Sequence, residues 1–295
     1  MNRYKIKHVT RIEYSAPVSY SQQCARLQPM SRMDQQLLHY SLTIFPEPSS
    51  QGEWIDFHGN RLNYFTLSER HNLLIVDSTS EVTVSRIAGI LPSVSLRELR
   101  EAFKQLNGPA RMEGENSIYA SPLVTEHRLW SDLSTKLFGP ETTAIAAIDL
   151  FFNWLHDEFV FDSKATTTDT PLLEFYEKRR GVCQDFSHLT LAILRAAGIP
   201  ARYISGYLLT EPAPGQPRQL GVDASHAWVQ LYFAGTGWVG IDPTNHCLTD
   251  SRYIKVAIGR DYSDVSPLRG SVIGGGTQTV AVGVTVERCP GNSTP

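Results

Sequence analysis

Cys183 is the residue in this 295-residue chain best placed to do chemistry. It follows Gly181-Val182 and opens a run, Asp185 to Ala197, in which Phe186, Leu189, Thr190, Ile193, Leu194 and Ala197 recur at helical spacing. Gly198 and Pro200 then stop the helix. A thiol at a helix N-terminus faces unpaired amides and the positive end of the macrodipole. Both stabilise a thiolate, and the same amides can hold the oxyanion formed when it attacks a carbonyl. Asp185 in the first turn suits the dipole but opposes a thiolate. Its side chain is therefore expected to turn away, toward backbone amides or toward Arg179 or Arg180.

A thiolate nucleophile needs a base, and the base needs an orienting group. His226 opens an alternating strand on which His226, Trp228, Gln230 and Tyr232 share one face, while Ala227, Val229, Leu231 and Phe233 form the core face. Asp242 ends the next strand, Trp238-Val239-Gly240-Ile241-Asp242, just before Pro243. If the two strands pair, the end of the second approaches the start of the first, and Asp242 can fix one tautomer of His226. The oxyanion and cleft candidates are Gln184, Tyr207 and Trp228, together with the loop 163–170. A rival reading groups Cys183, His188, His246 and Cys247 as four metal ligands, but no pair has CxxC or HxxxH spacing.

The elements that must position these residues fall into two regions. Arg3 to Tyr14 alternates with period two, and short strand-like runs follow at Leu38–Phe45, Trp54–Phe57, Arg61–Leu67, Leu73–Val76 and Glu81–Ser85. This predicts an N-terminal antiparallel, sandwich-like β domain over 1–92. A connector over 93–125 carries one helix capped by Ser95, and residues 107–121 read as irregular. The segment 126–290 reads as the catalytic domain. It has helices at Thr143–Glu158, Leu172–Lys178 and Asp185–Ala197, then strands at Ala201–Leu209, Ala224–Phe233 and Trp238–Asp242. The loop Glu211–Val222 is expected to be exposed and mobile, the run Thr279–Glu287 to close a sheet, and the final eight residues to fray. The fold class is α+β.

Composition narrows the function. With 27 Lys plus Arg against 30 Asp plus Glu, the net charge is −3, and no basic stripe suggests nucleic acid. There is no 18-residue apolar run, no basic amphipathic helix and no apolar leader, so the expectation is a cytoplasmic chain without membrane attachment. Cys24, Cys183, Cys247 and Cys289 are too few and too scattered for a disulfide framework and are expected to be reduced. Exposed edge strands on the β domain would permit a homo-oligomer.

Three blocks, Gly181-Val182-Cys183-Gln184-Asp185-Phe186, His226-Ala227-Trp228 and Asp242-Pro243-Thr244, resemble the motifs of the transglutaminase-like superfamily. The passage Leu194 to Arg202 resembles its helix-to-strand connection, and the first 90 residues resemble the β domain of a bacterial branch. The resemblance implies a papain-like core in which Cys183 is nucleophile, His226 base and acid, and Asp242 the orienting carboxylate. It implies acyl transfer through a thioester on a peptide or protein substrate, with no cofactor or metal; calcium belongs to the animal cross-linking branch. Water as acceptor gives a peptidase or amidase, and an amine gives a transglutaminase. Hydrolysis is preferred, because a cytoplasmic cross-linker would threaten its own proteome. A binding or scaffold protein that kept the fold is the non-enzymatic alternative.

Overall fold

A computed structural model describes residues 1–87, 91–139, 141–210 and 225–289. The Glu211–Val222 loop and the chain from 290 onward lie outside the described residues. The first five strands are β1 (Asn2–Ala25), β2 (Gln35–Phe45), β3 (Ser50–Ile55), β4 (Arg61–Leu67) and β5 (His71–Val84). Four helices follow: α1 (Leu96–Lys104), α2 (Gly108–Asn116), α3 (Arg128–Leu137) and α4 (Ala144–Glu158). Then come β6 (Val160–Phe161), α5 (Leu172–Lys178), β7 (Arg180–Gly181) and α6 (Cys183–Ala196). The second sheet uses β8 (Ala201–Leu208), β9 (Ser225–Phe233), β10 (Gly237–Asp242), β11 (Cys247–Leu248) and β12 (Tyr253–Gly259). The chain ends with α7 (Tyr262–Val265), β13 (Leu268–Gly274) and β14 (Gln278–Arg288). This is an α+β chain, and among the described residues no helix is long and apolar enough to cross a membrane.

β1 organises the antiparallel N-terminal sheet, whose order is β2-β5-β1-β4-β3. Tyr4, Ile6, His8, Thr10, Ile12 and Tyr14 all point inward, the face that period two assigns them. The strand runs well past Tyr14, through Pro17, which falls at a register shift where no ladder donor is required. β5 and β14 flank its first half, and β4 and β13 flank its second. The alternating run near the C-terminus thus joins the sheet of the first 90 residues, with Ile6 opposite Val286. The runs at Leu73–Val76 and Glu81–Ser85 merge into β5, because both pair with β1. Residues 107–121 are not wholly irregular. α2 forms there with Pro109 in its first turn, where a missing N–H costs nothing.

The second sheet is antiparallel, in the order β11-β10-β9-β8-β12. α6 lies against it and is buried around nearly its whole circumference. Phe186, Leu189 and Ile193 share a core with Ala227, Val229, Leu231 and Phe233. The two sheets meet where Tyr4, Ile6, Val82, Val84, Val284 and Val286 pack on Tyr207, Leu209, Ile254 and Val256. Each such side chain taken out of water contributes roughly 1.5–3 kcal/mol.

β12 is an edge strand, and its outer backbone groups are buried under the first domain. Two side-chain amides replace the missing neighbour. Gln35 donates to the Lys255 carbonyl and accepts from its N–H, both at 2.8 Å. Asn60 donates to the Ile258 carbonyl at 2.7 Å and accepts from its N–H at 2.8 Å. Neither amide is exposed beyond 2%. Asn60→Ala leaves a buried peptide N–H and C=O without partners, and an unfolding titration in urea is expected to show a loss of about 2–4 kcal/mol.

Candidate active site

The local chain geometry that presents Cys183 begins at α4. The two-residue parallel ladder of β6 with β7 pairs Phe161 with Gly181, bringing the segment after α4 alongside the residues that lead into α6. Gly181 is required there: a Cβ would sit 2.5 Å from an Asp185 carboxylate oxygen and 2.6 Å from the Phe175 ring. Cys183 is then the first helical residue, two positions ahead of the start read from sequence. Val182 at the N-cap has no side-chain acceptor. Asp185 supplies one instead, accepting from the Val182 N–H at 2.8 Å and from Thr166 Oγ1 at 2.6 Å. Its side chain turns to a backbone amide, one of the two kinds of partner expected for it, and also to a hydroxyl, not to Arg179 or Arg180. Arg179 pairs with Glu158 and Arg180 with Asp162. Burial raises the Asp185 pKa, against the two hydrogen bonds it accepts.

The half-buried Cys183 side chain lies close enough to the His226 imidazole to raise its pKa. His226 Nε2 lies 2.7 Å from Asp242 Oδ2. The pairing that makes this possible is the antiparallel register of β9 with β10, with Ile241 opposite Val229. Asp242 has no exposure, and the His226 side chain only 11%. Burial opposes a charge on the imidazole. The hydrogen bonds to Asp242 and Cys183, with their negative charges, more than offset this and raise its pKa to about 10. Burial likewise opposes the Asp242 carboxylate, but hydrogen bonds from His226, Asn245 and Tyr253 and the charge of His226 hold its pKa below the ordinary value. The Cys183 side chain thus sits beside a charged imidazole and at the first-turn amides of Cys183 and Gln184, which have no partner within the helix.

Trp228 lies beneath this pair. It is fully buried, its ring near-parallel to His226 at 6.1 Å and edge-on to Tyr253 at 5.3 Å. Gly206 makes room for it, since a Cβ there would come within 2.6 Å of the indole. Gln184 is buried and donates to the Thr168 carbonyl at 3.0 Å, which fastens the loop 163–170 beside the helix start. Tyr207 is placed elsewhere. Its hydroxyl meets His8 Nδ1 at 3.0 Å in the core between the two sheets, because its end of β8 lies under β1. Of the four residues in the metal reading, His188 accepts from the Tyr262 N–H at 3.2 Å, and Cys247 contacts the Tyr253 hydroxyl at 3.2 Å.

Sequence reading missed Asn245 and Tyr253, and named Thr166 only as part of the loop 163–170. Asn245 follows Asp242 in a four-residue turn and carried a usable signal: Asp-Pro-Thr-Asn is turn chemistry in which the Asp side chain accepts from the amides two and three residues on. Thr244 and Asn245 donate to Asp242 Oδ1 at 2.9 and 3.2 Å. Tyr253 comes from β12, a strand not foreseen, and only the fold brings it to the site.

Two family models match the chain. Residues 131–243 match the transglutaminase-like superfamily, and residues 4–83 match the bacterial transglutaminase-like N-terminal region. An uncharacterized Mycobacterium tuberculosis protein is 34% identical over 294 residues, covering 98% of this chain and 93% of its own. A protein-glutamine gamma-glutamyltransferase from Pseudomonas aeruginosa is 33% identical over 103 residues, 34% of this chain and 15% of that enzyme. Among solved structures, a proposed cysteine protease from Cytophaga hutchinsonii superposes with a TM-score of 0.77 at 21% identity, covering 100% of this chain and 93% of that one. The chain belongs to the transglutaminase-like superfamily and carries its bacterial N-terminal region.

The raised His226 pKa has a consequence for stability. Its folded value, about 10, lies above the unfolded value of 6.5. The stabilisation is thus complete below pH 6.5 and is lost as pH rises from there through about 10. Urea midpoints measured across that window are expected to fall more steeply in the wild type than in His226→Gln.

Proposed function

We propose that this protein is a cysteine-dependent acyl-transfer enzyme that hydrolyses a peptide or amide bond. The observation that carries the reading is the buried His226–Asp242 pair at 2.7 Å, with the Cys183 side chain at the start of a helix acting on the same imidazole. In this reading the Cys183 thiolate attacks the substrate carbonyl, and the first-turn amides stabilise the oxyanion. The C–N bond then breaks, and the His226 Nδ1 proton passes to the leaving amine, giving a thioester and a neutral imidazole. His226 next takes a proton from water as that water attacks the thioester. Collapse returns the sulfur as thiolate beside imidazolium and releases the carboxylic acid product. Asp242 holds the tautomer and the charge of His226 throughout.

Water is favoured over an amine acceptor by what the tryptophans do. A dry wall over the acyl-enzyme would favour aminolysis. Trp130 packs on Tyr176, Trp154 on Phe151 and Phe159, and Trp238 lies beneath the Arg202 guanidinium. Trp228 is under His226, and Trp54 is exposed on β3. Thr167, Thr168 and Asp169 of the loop beside the helix start are exposed to water. The four free cysteines fit a reducing, cytoplasmic compartment.

The test is to trap the acyl-enzyme with p-nitrophenyl esters and a peptide-amide panel, by intact mass, with and without an added primary amine. The expected result is an adduct on Cys183 that partitions to the carboxylic acid. Cys183→Ala should lower turnover by ~10³-fold or more while unfolding like the wild type. Partition mainly to the amide would favour the transamidation reading. The absence of any adduct would favour a binding protein that kept the fold.

A further inference from the structure

Asp242 Oδ2 receives three donors, although one of them, His226 Nε2 at 2.7 Å, is all that an orienting carboxylate needs. The others are Asn245 Nδ2 at 2.7 Å and the Tyr253 hydroxyl at 2.8 Å. Oδ1 is separately held by the backbone amides of Thr244 and Asn245. Five donors thus converge on a group with about four lone-pair sites. The two side-chain donors differ in character. Tyr253 is 1% exposed and approaches from β12. A hydroxyl has one proton, so while it donates to Asp242 its oxygen accepts from the Cys247 thiol at 3.2 Å, which fixes its rotor. Asn245 is exposed, and its amide nitrogen also lies 3.4 Å from His226 Nε2, covering the imidazole–carboxylate hydrogen bond from solvent.

We propose that Tyr253 and Asn245 are positioning residues for the acyl transfer, acting on His226 through Asp242. This rests on the reading above, in which His226 must both hold a proton beside the thiolate and surrender it to the leaving amine. Oδ1 and the strand already fix the position of the carboxylate. What the two extra donors add is competition: each hydrogen bond draws charge from Oδ2 and weakens its grip on the imidazolium proton. Without them Asp242 holds that proton more tightly, and the imidazolium is a poorer acid for the leaving group.

The experiment is an NMR titration of the His226 imidazole in wild type, Tyr253→Phe and Asn245→Ala, with the Nε2–H resonance recorded alongside. Asn245→Ala alters only an exposed side chain and keeps the backbone N–H that Oδ1 accepts, so it stands even if Tyr253→Phe is unstable. Each variant is expected to raise the His226 midpoint by about half a pH unit or more and to move the Nε2–H signal further downfield. Turnover near neutral pH should fall through kcat with KM little changed. A role confined to folding would lower the unfolding midpoint and leave both signals where they are in the wild type, which overturns the proposal. A wild-type His226 that titrates as an isolated imidazole overturns the acyl-transfer reading and the proposal with it. An elevated wild-type midpoint that neither variant shifts overturns the proposal alone.

Discussion

Asp242 is a carboxylate with no contact with solvent, and a bare charge so placed would be costly or would neutralise itself. It stays ionised because the surrounding chain is arranged as donors: two amides of its own turn, the Asn245 side chain, the Tyr253 hydroxyl and His226. The charge in turn lets a buried imidazole stay protonated, and that imidazole faces a thiol at the positive end of a helix. Each ionic group is tolerable only because the next one is present. Removing a member therefore leaves the others buried without compensation, so the site behaves as a unit.

The N-terminal domain belongs to this arrangement even though it contributes no reacting group. Its Gln35 and Asn60 hydrogen-bond the outer edge of β12, the strand that carries Tyr253 to Asp242. Met30 from the same domain packs with Trp228 and Tyr253, the two rings beneath His226. A strand edge that would otherwise be free to fray or to pair with another chain is thereby fixed. The C-terminal strands return to β1 and tie the end of the chain to its beginning.

What the sequence reveals follows the range of the interactions involved. The helical stripe of α6, the face of β9 that carries His226 and the stop at Gly198 are local patterns and are legible, although the helix starts two residues earlier than the stripe indicates. The approach of Asp242 to His226 follows from one hairpin register and was also within reach. Tyr207 was misread as a cleft candidate because a tyrosine beside a Ser-Gly pair carries no sign of which domain covers it. Its partner, His8, is 199 residues away. Tyr253 stayed hidden for the same reason, since β12 reaches the site through sheet order rather than chain proximity. Asp185 shows an intermediate case. Its turn to a backbone amide was legible, but its partner Thr166 lies in a loop held only by tertiary contacts.

In the proposed mechanism Cys183 and His226 act as one acid–base unit. The most direct measurement is the pH dependence of iodoacetamide alkylation at each cysteine, read by peptide mapping in wild type and His226→Ala. Cys24, Cys247 and Cys289 serve as internal references. Cys183 is expected to react well below the ordinary thiol pKa of about 8.5 and to lose that advantage in His226→Ala. Equal reactivity of all four thiols, unchanged by the substitution, would contradict it.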